Sequence, residues 1–155
     1  MKTEEFLQRA LGDDGFYCVF ASHGSQGQRV QKFYDSIDAV LTTANDLDES
    51  GFDAYFALAT FKEAGSRKVD NIEQLKAFFL DLDCGPSKEY PNQNDAISAL
   101  QTFCKKLELP KPLLVNSGRG VHVYWFLSKP VSLEEWLPVA RRLKQLCTEH
   151  KLLAD

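Results

Sequence analysis

No run in this sequence approaches the roughly 20 apolar residues that a membrane-spanning helix requires. The N-terminal stretch carries Glu4, Glu5, Asp13 and Asp14 where a secretion signal needs an apolar segment. The expectation is a cytoplasmic protein with no membrane partner. Cysteine is sparse: the residues at 18, 84, 104 and 147 include no Cys-x-x-Cys pair and no short-range partner. Neither a zinc knuckle nor a disulfide framework follows, so no zinc is expected and each thiol reads as reduced and half-buried. An excess of Lys and Arg is also missing, the net charge being -4, which argues against a passive nucleic-acid binder. That average hides an asymmetry. Residues 1–104 hold 9 basic against 17 acidic residues and residues 105–155 hold 9 against 5, so a phosphate-bearing ligand is expected in the C-terminal third. There is no internal repeat, low-complexity tract or linker, and 155 residues with 44% hydrophobic content make one domain around one core.

What is present divides near residue 75. In the first part, Thr3 to Leu11 reads as a short helix ended by Gly12 and the Asp13-Asp14-Gly15 turn signal. Phe16 to Phe20 reads as a buried strand, His23 to Gly27 as a glycine-rich loop, and Arg29 to Tyr34 as a partner strand. Ser36 is placed to cap a helix with Ile37, Val40, Leu41, Ala44 and Leu47 on one face, closed by Gly51, and Phe52 to Thr60 is β-rich. Arg67, Lys68 and Asp70 read as a solvated turn rather than a site, the alternative being that Arg67 or Lys68 touches a nucleic-acid backbone.

Residues 76–155 carry six elements. Lys76 to Asp83 is a strand; Asn94 is read as the cap of a helix carrying Ile97, Leu100, Phe103, Cys104 and Leu107. After Pro110 and Pro112, Leu113 to Asn116 and Val121 to Leu127 are strands joined by the turn Ser117-Gly118-Arg119-Gly120. Ser132 and Glu135 form a capping box before a helix with Leu133, Trp136, Leu137, Ala140, Leu143 and Leu146 on its inner face. Lys151 to Asp155 reads as the start of a last strand. The order β-α-β-β-α-β predicts an α+β, ferredoxin-like or RRM-like core, preceded by a small N-terminal αβ unit. In that arrangement the first strand lies between the third and the fourth, which sets Asp81 and Asp83 beside His122 and Asp155.

Strand parity places the apolar Phe78, Leu80 and Leu82 on the helix face and Phe79, Asp81 and Asp83 on the other. In the third strand Val121, Val123, Trp125 and Leu127 take the helix face, which leaves His122, Tyr124 and Phe126 on the open one. Carboxylates about 6–7 Å apart on one strand face repel each other unless a cation lies between them. They either cap the strand at its solvent end or hold hard cations, Mg²⁺ or Mn²⁺, of the kind used in phosphoryl and nucleotidyl transfer. The run from Ser117 to His122 is either a plain hairpin turn or a phosphate cradle, with backbone N–H groups and the Ser, Arg and His side chains as donors.

Taken together, Phe78 to Asp83 and Ser117 to Trp125 resemble the archaeo-eukaryotic primase superfamily, in particular the primase-polymerase domains of phages and mobile elements. That family has a hydrophobic strand ending in Asp-x-Asp or Asp-x-Glu, a Ser-x-His-type motif and a later hydrophobic-Asp, here matched by Asp81 and Asp83, by Ser117 through His122, and by Ala154-Asp155. The resemblance implies that Asp81, Asp83 and Asp155 hold two divalent ions, Mg²⁺ or Mn²⁺. It further implies that Ser117, Gly118, Arg119, Gly120 and His122 bind the nucleoside triphosphate. Tyr124 and Phe126 would then face base, sugar or the single-stranded DNA template. The family continues beyond the position of Asp155, so the last strand is expected to be truncated and the chain a piece of a longer protein of phage or plasmid type, with a fused or associated helicase. Two other readings fit parts of the pattern: an RRM-like single-strand binding module, and a nucleotidyl cyclase-type palm domain, which shares the topology and the paired carboxylates.

Overall fold

A computed structural model describes residues 1–24 and 27–155. The expected His23–Gly27 loop falls partly on Ser25 and Gln26, outside the described residues. The chain divides into two compact units, Met1–Lys76 with Leu127–Trp136, and Ala77–Phe126 with Leu137–Asp155.

The first unit contains α1 (Thr3–Ala10), β1 (Tyr17–His23), β2 (Gln28–Tyr34), α2 (Ile37–Glu49) and β3 (Asp53–Phe56). Its sheet has the order β2-β1-β3, both pairings antiparallel. Ser36 caps α2 as expected, its hydroxyl accepting from the Ala39 N–H at 3.4 Å. Alternate residues of β1 serve opposite faces: Val19 and Ala21 are buried on one, while Cys18 packs on the other with Phe61, Leu75 and Trp136. The β-rich stretch expected over 52–60 is a strand only to Phe56. Beyond it the backbone changes partners, Thr60 exchanging hydrogen bonds with Gln74 and Glu73, and Phe61 with Phe16.

The second unit is built on β4 (Leu75–Asp83), α3 (Gln93–Lys106), β5 (Leu113–Asn116), β6 (Gly120–Val131) and α4 (Leu133–Glu149). The sheet order is β4-β6-β5. On the far side of β4, Asp81 and Asp155 donate to each other's carbonyls at 2.9 and 3.0 Å respectively, the reciprocal pattern of an antiparallel pair. The strand expected over Lys151 to Asp155 is not formed: the sheet has three strands, and this one reciprocal pair at Asp155 is what sets the segment beside β4, opposite β6; the chain has an α+β fold. Leu80, Leu82, Val121 and Val123 bury one sheet face against Leu100 and Phe103 of α3 and Leu143 and Cys147 of α4.

Three boundaries differ from expectation. The cap of α3 is Asn92, whose side chain accepts from the Asp95 N–H, rather than Asn94. At 12 residues β6 runs past Leu127 to Val131, far beyond the four that pair with β5. The inner face of α4 is divided: Leu143 and Leu146 pack in the second unit's core, whereas Leu133 and Trp136 belong to the first unit's. A single amphipathic stripe read from sequence cannot reveal that its two ends serve different cores. Among the described residues no helix is long and apolar enough to cross a membrane.

Candidate active site

The final turns of β4 present Asp81 and Asp83 two residues apart, and the core positions Leu80 and Leu82 between and beside them fix which way they point. Asp155 arrives on the segment after α4. That segment is anchored by the Leu152 N–H donating to the Cys147 carbonyl at 2.9 Å and the Leu153 N–H donating to the Tyr90 hydroxyl at 3.0 Å. The three carboxylates line one open cavity of about 580 Å³, together with Glu89, Thr148 and Lys151.

From the neighbouring strand β6, His122 sets its Nε2 3.7 Å from Asp81 Oδ1 and rests edge-on against Phe79, ring centroids 5.3 Å apart. Asp83 pairs with the Lys88 ammonium at 2.6 Å. Oδ1 of Asp81 is buried without a hydrogen-bond donor. Burial raises the Asp81 pKa; His122 pulls it back, and the charges of Asp83 and Asp155 push it further up.

The hairpin between β5 and β6 is built by contacts the sequence did not reveal. The Asn116 side-chain oxygen accepts from the Gly118 N–H at 2.7 Å and from Gln93 Nε2 at 2.8 Å, while Gln93 also donates to the Gly120 carbonyl at 3.1 Å. The Ser117 N–H donates to the Gly120 carbonyl at 3.2 Å. Gly118 has φ +84°, a left-handed conformation that suits glycine. Gly120 is needed for space, because a Cβ there would run into the Leu82 carbonyl oxygen.

This geometry brings together Asp81, Asp83, Asp155 and His122. Ser117, Gly118 and Arg119 lie exposed at the hairpin turn. Two expectations are corrected, one on the phosphate cradle and one on the open sheet face. The N–H groups of Ser117 and Gly118 are used inside the turn, so neither is a donor for an anion, and the side chains of Ser117, Arg119 and His122 carry more of that role than expected. Tyr124, expected on an open face, is only 5% exposed, with its ring 5.1 Å from Phe79 and stacked 6.2 Å from Phe126. Burial and the Asp81 charge push its phenol up to about 12. Lys88, Tyr90 and Gln93 were not singled out from sequence because each acts through a partner distant in sequence or across a loop.

Among the described residues no group of three or more His, Cys, Asp or Glu side chains is arranged to hold a metal ion. The chemistry of the donor set nevertheless fits a hard divalent cation. Three carboxylates share a cavity and one carboxylate oxygen is buried without a donor. Lys88 engages Oδ2 of Asp83, so an ion at this carboxylate either competes with the ammonium or takes Oδ1. Because a bound cation competes with protons on Asp81, its affinity is expected to rise with pH through the raised Asp81 pKa. Mn²⁺ titration calorimetry between pH 4.5 and 7 checks this, and a flat profile would remove Asp81 from the ligand set.

No family profile matches the chain. A replication protein of Clostridium perfringens is 29% identical over 83 residues, 54% of this chain and 20% of that protein. Among solved structures, the AEP (archaeo-eukaryotic primase) domain of the cyanophage S-2L primase-polymerase superimposes with a TM-score of 0.60 and 18% identity, over 86% of this chain and 65% of that one. The chain thus spans about a fifth of the length of the relative it matches and under two thirds of the solved domain. In fold, the chain is an α+β domain similar to the AEP domain of the cyanophage primase-polymerase.

Proposed function

We propose that the chain is a nucleotidyltransferase of primase-polymerase type, acting in DNA replication on nucleoside triphosphates and a single-stranded DNA template. The observation that carries the reading is the meeting of Asp81, Asp83 and Asp155 in one cavity beside His122, on a fold shared with a primase-polymerase domain. Asp81 and Asp83 from β4 and Asp155 beside them would hold Mg²⁺ or Mn²⁺. When bound, such ions supply activation of the attacking 3′-hydroxyl and charge neutralisation on the departing pyrophosphate. The guanidinium of Arg119 and the hydroxyl of Ser117, on the exposed turn, give the triphosphate charged and neutral donors. His122, held by the Phe79 ring, aims Nε2 at the carboxylate cluster, where it can donate to a phosphate oxygen lying between. Lys88 serves as a resident counter-charge for Asp83.

An RRM-like binding module without catalysis is disfavoured by the same geometry. Tyr124, the central aromatic of the β6 row, is too buried to stack on a base, and the Asp81 and Asp83 carboxylates beside it repel phosphates. Calorimetric titration of a nucleoside triphosphate with and without Mn²⁺ separates the two. Binding is expected to depend on Mn²⁺ and to weaken by about 10- to 100-fold in Asp83→Ala; metal-independent binding of equal strength in both proteins would discard the proposal.

A further inference from the structure

We infer that the first unit carries a separate binding platform for single-stranded nucleic acid, formed by Tyr55, Phe20 and Arg67 on one face of its sheet. Residues directly opposite each other on antiparallel strands share a face. Register therefore puts Gln31, Phe20 and Tyr55 in one row across β2, β1 and β3, with Arg29, Ser22 and Asp53 in the next row on the same face. At one end of this face Cys18 and Phe33 are covered by the core residues Phe61 and Trp136. The Phe20 row emerges from under that cover, and Tyr55 is 54% exposed.

Arg67 gives the row its chemistry. Its guanidinium carbon lies 4.7 Å from the centre of the Phe20 ring, and its Nε donates to Gln31 Oε1 at 2.7 Å. The side chain is thereby held over an aromatic ring while the residue remains exposed. Phe20 and Tyr55 continue the line, ring centroids 6.1 Å apart and tilted by 35°. The result is two neighbouring rings, one of them overlain by a guanidinium, with Arg29 and Asp53 at the two ends of the adjacent row.

The unit around it is acidic, with 9 Lys and Arg against 15 Asp and Glu over Met1–Lys76 and Leu127–Trp136. Against that acidic background Arg67 and Arg29 are the cations of this face, and their pairing with the Phe20 and Tyr55 rings favours an anionic ligand that also presents flat faces. Single-stranded nucleic acid has both, its bases stacking on rings and guanidinium and its phosphates meeting Arg67 and Arg29. An acidic peptide would satisfy the charges and leave the exposed Tyr55 ring without a stacking partner.

The test is fluorescence anisotropy of a labelled 12-nucleotide oligo-dT in EDTA, a condition in which metal-dependent binding at the carboxylates contributes nothing. The platform and the nucleotidyltransferase reading can therefore fail independently. Tyr55→Leu is expected to weaken binding by about 5- to 100-fold, the range for loss of a stacked base, whereas Tyr55→Phe, which keeps the ring, stays within about 2-fold of the parent. Arg67→Ala is expected to weaken binding and lower the slope of log K against log salt by about one unit. Absence of oligonucleotide binding by the parent, or equal affinity in parent, Tyr55→Leu and Arg67→Ala, would overturn the inference.

Discussion

Asp81→Asn is expected to make the metal-free protein more stable and at the same time to reduce nucleotide incorporation by more than about 100-fold. The two effects have one origin. Burial, Asp83 and Asp155 together hold the folded-state pKa of Asp81 above its ordinary value, with His122 only partly compensating. Between the unfolded and the folded pKa the native state therefore binds more protons than the unfolded chain, and stability falls as pH rises through that window. Above it, at neutral pH, the full penalty of the ionised form is present. Asparagine keeps the shape without the charge. The Asp81 side chain is 36% exposed and solvent screens it, so the gain is expected to be modest, about 0.5–1 kcal/mol, or roughly 1–4 °C in Tm for a domain of this size.

The same substitution removes one of three carboxylates from the cavity. Loss of a group that merely supports a metal ligand commonly costs 10- to 100-fold in affinity or activity, and loss of a ligand itself belongs at or beyond the upper end. Thermal melts in EDTA and in Mn²⁺ at pH 7, with primer extension alongside, read both effects. A lower Tm for the variant in EDTA would refute the repulsion argument; Mn²⁺ stabilisation as large as the parent's would take Asp81 out of the metal set.

The parts of this site legible in sequence are those that follow from period and order. Alternation along Phe78 to Asp83 assigned the two carboxylates to one face, and the β-α-β-β-α-β order put Asp155 and His122 beside them, as the Asp81–Asp155 backbone pair and the 3.7 Å approach of His122 bear out. What periodicity cannot carry is what lies over a face. Tyr124 has the parity of His122, yet one is buried and the other half-exposed. Nor does sequence reveal hydrogen bonds that satisfy a turn from outside it. Asn116 and Gln93 occupy the hairpin's inner donors and acceptors from positions with no motif of their own. The cap of α3 moved from Asn94 to Asn92 because two asparagines within three residues satisfy the same propensity, and only the Asn92 side chain reaches the Asp95 N–H.

Gly120→Ala is the substitution expected to damage the fold most, and it tests whether hairpin and carboxylates are mechanically joined. The added methyl would meet the Leu82 carbonyl oxygen directly, with the Leu82 carbon at 3.2 Å and the Asp83 Cα at 3.3 Å. All three are backbone atoms of β4, and Leu82 is fully buried, so relief requires a strand to move and not a side chain to swing. The Cys84 N–H, bonded to the Arg119 carbonyl at 2.9 Å, ties the same two strands together one residue further on. A loss of about 2–3 kcal/mol is expected, roughly 4–12 °C in Tm. Gly118→Ala provides the contrast: its Cβ would meet nothing within 4 Å, so only the left-handed backbone is strained, at about 1 kcal/mol. Because the strand that must yield carries Asp83, Gly120→Ala should also weaken Mn²⁺ binding below the unfolding temperature, and Gly118→Ala should not. Equal melting temperatures for the two variants would show that β6 does not press on β4 at this point. A destabilised Gly120→Ala protein that binds Mn²⁺ like the parent would show that the hairpin's entry into the sheet and the placement of Asp83 are independent.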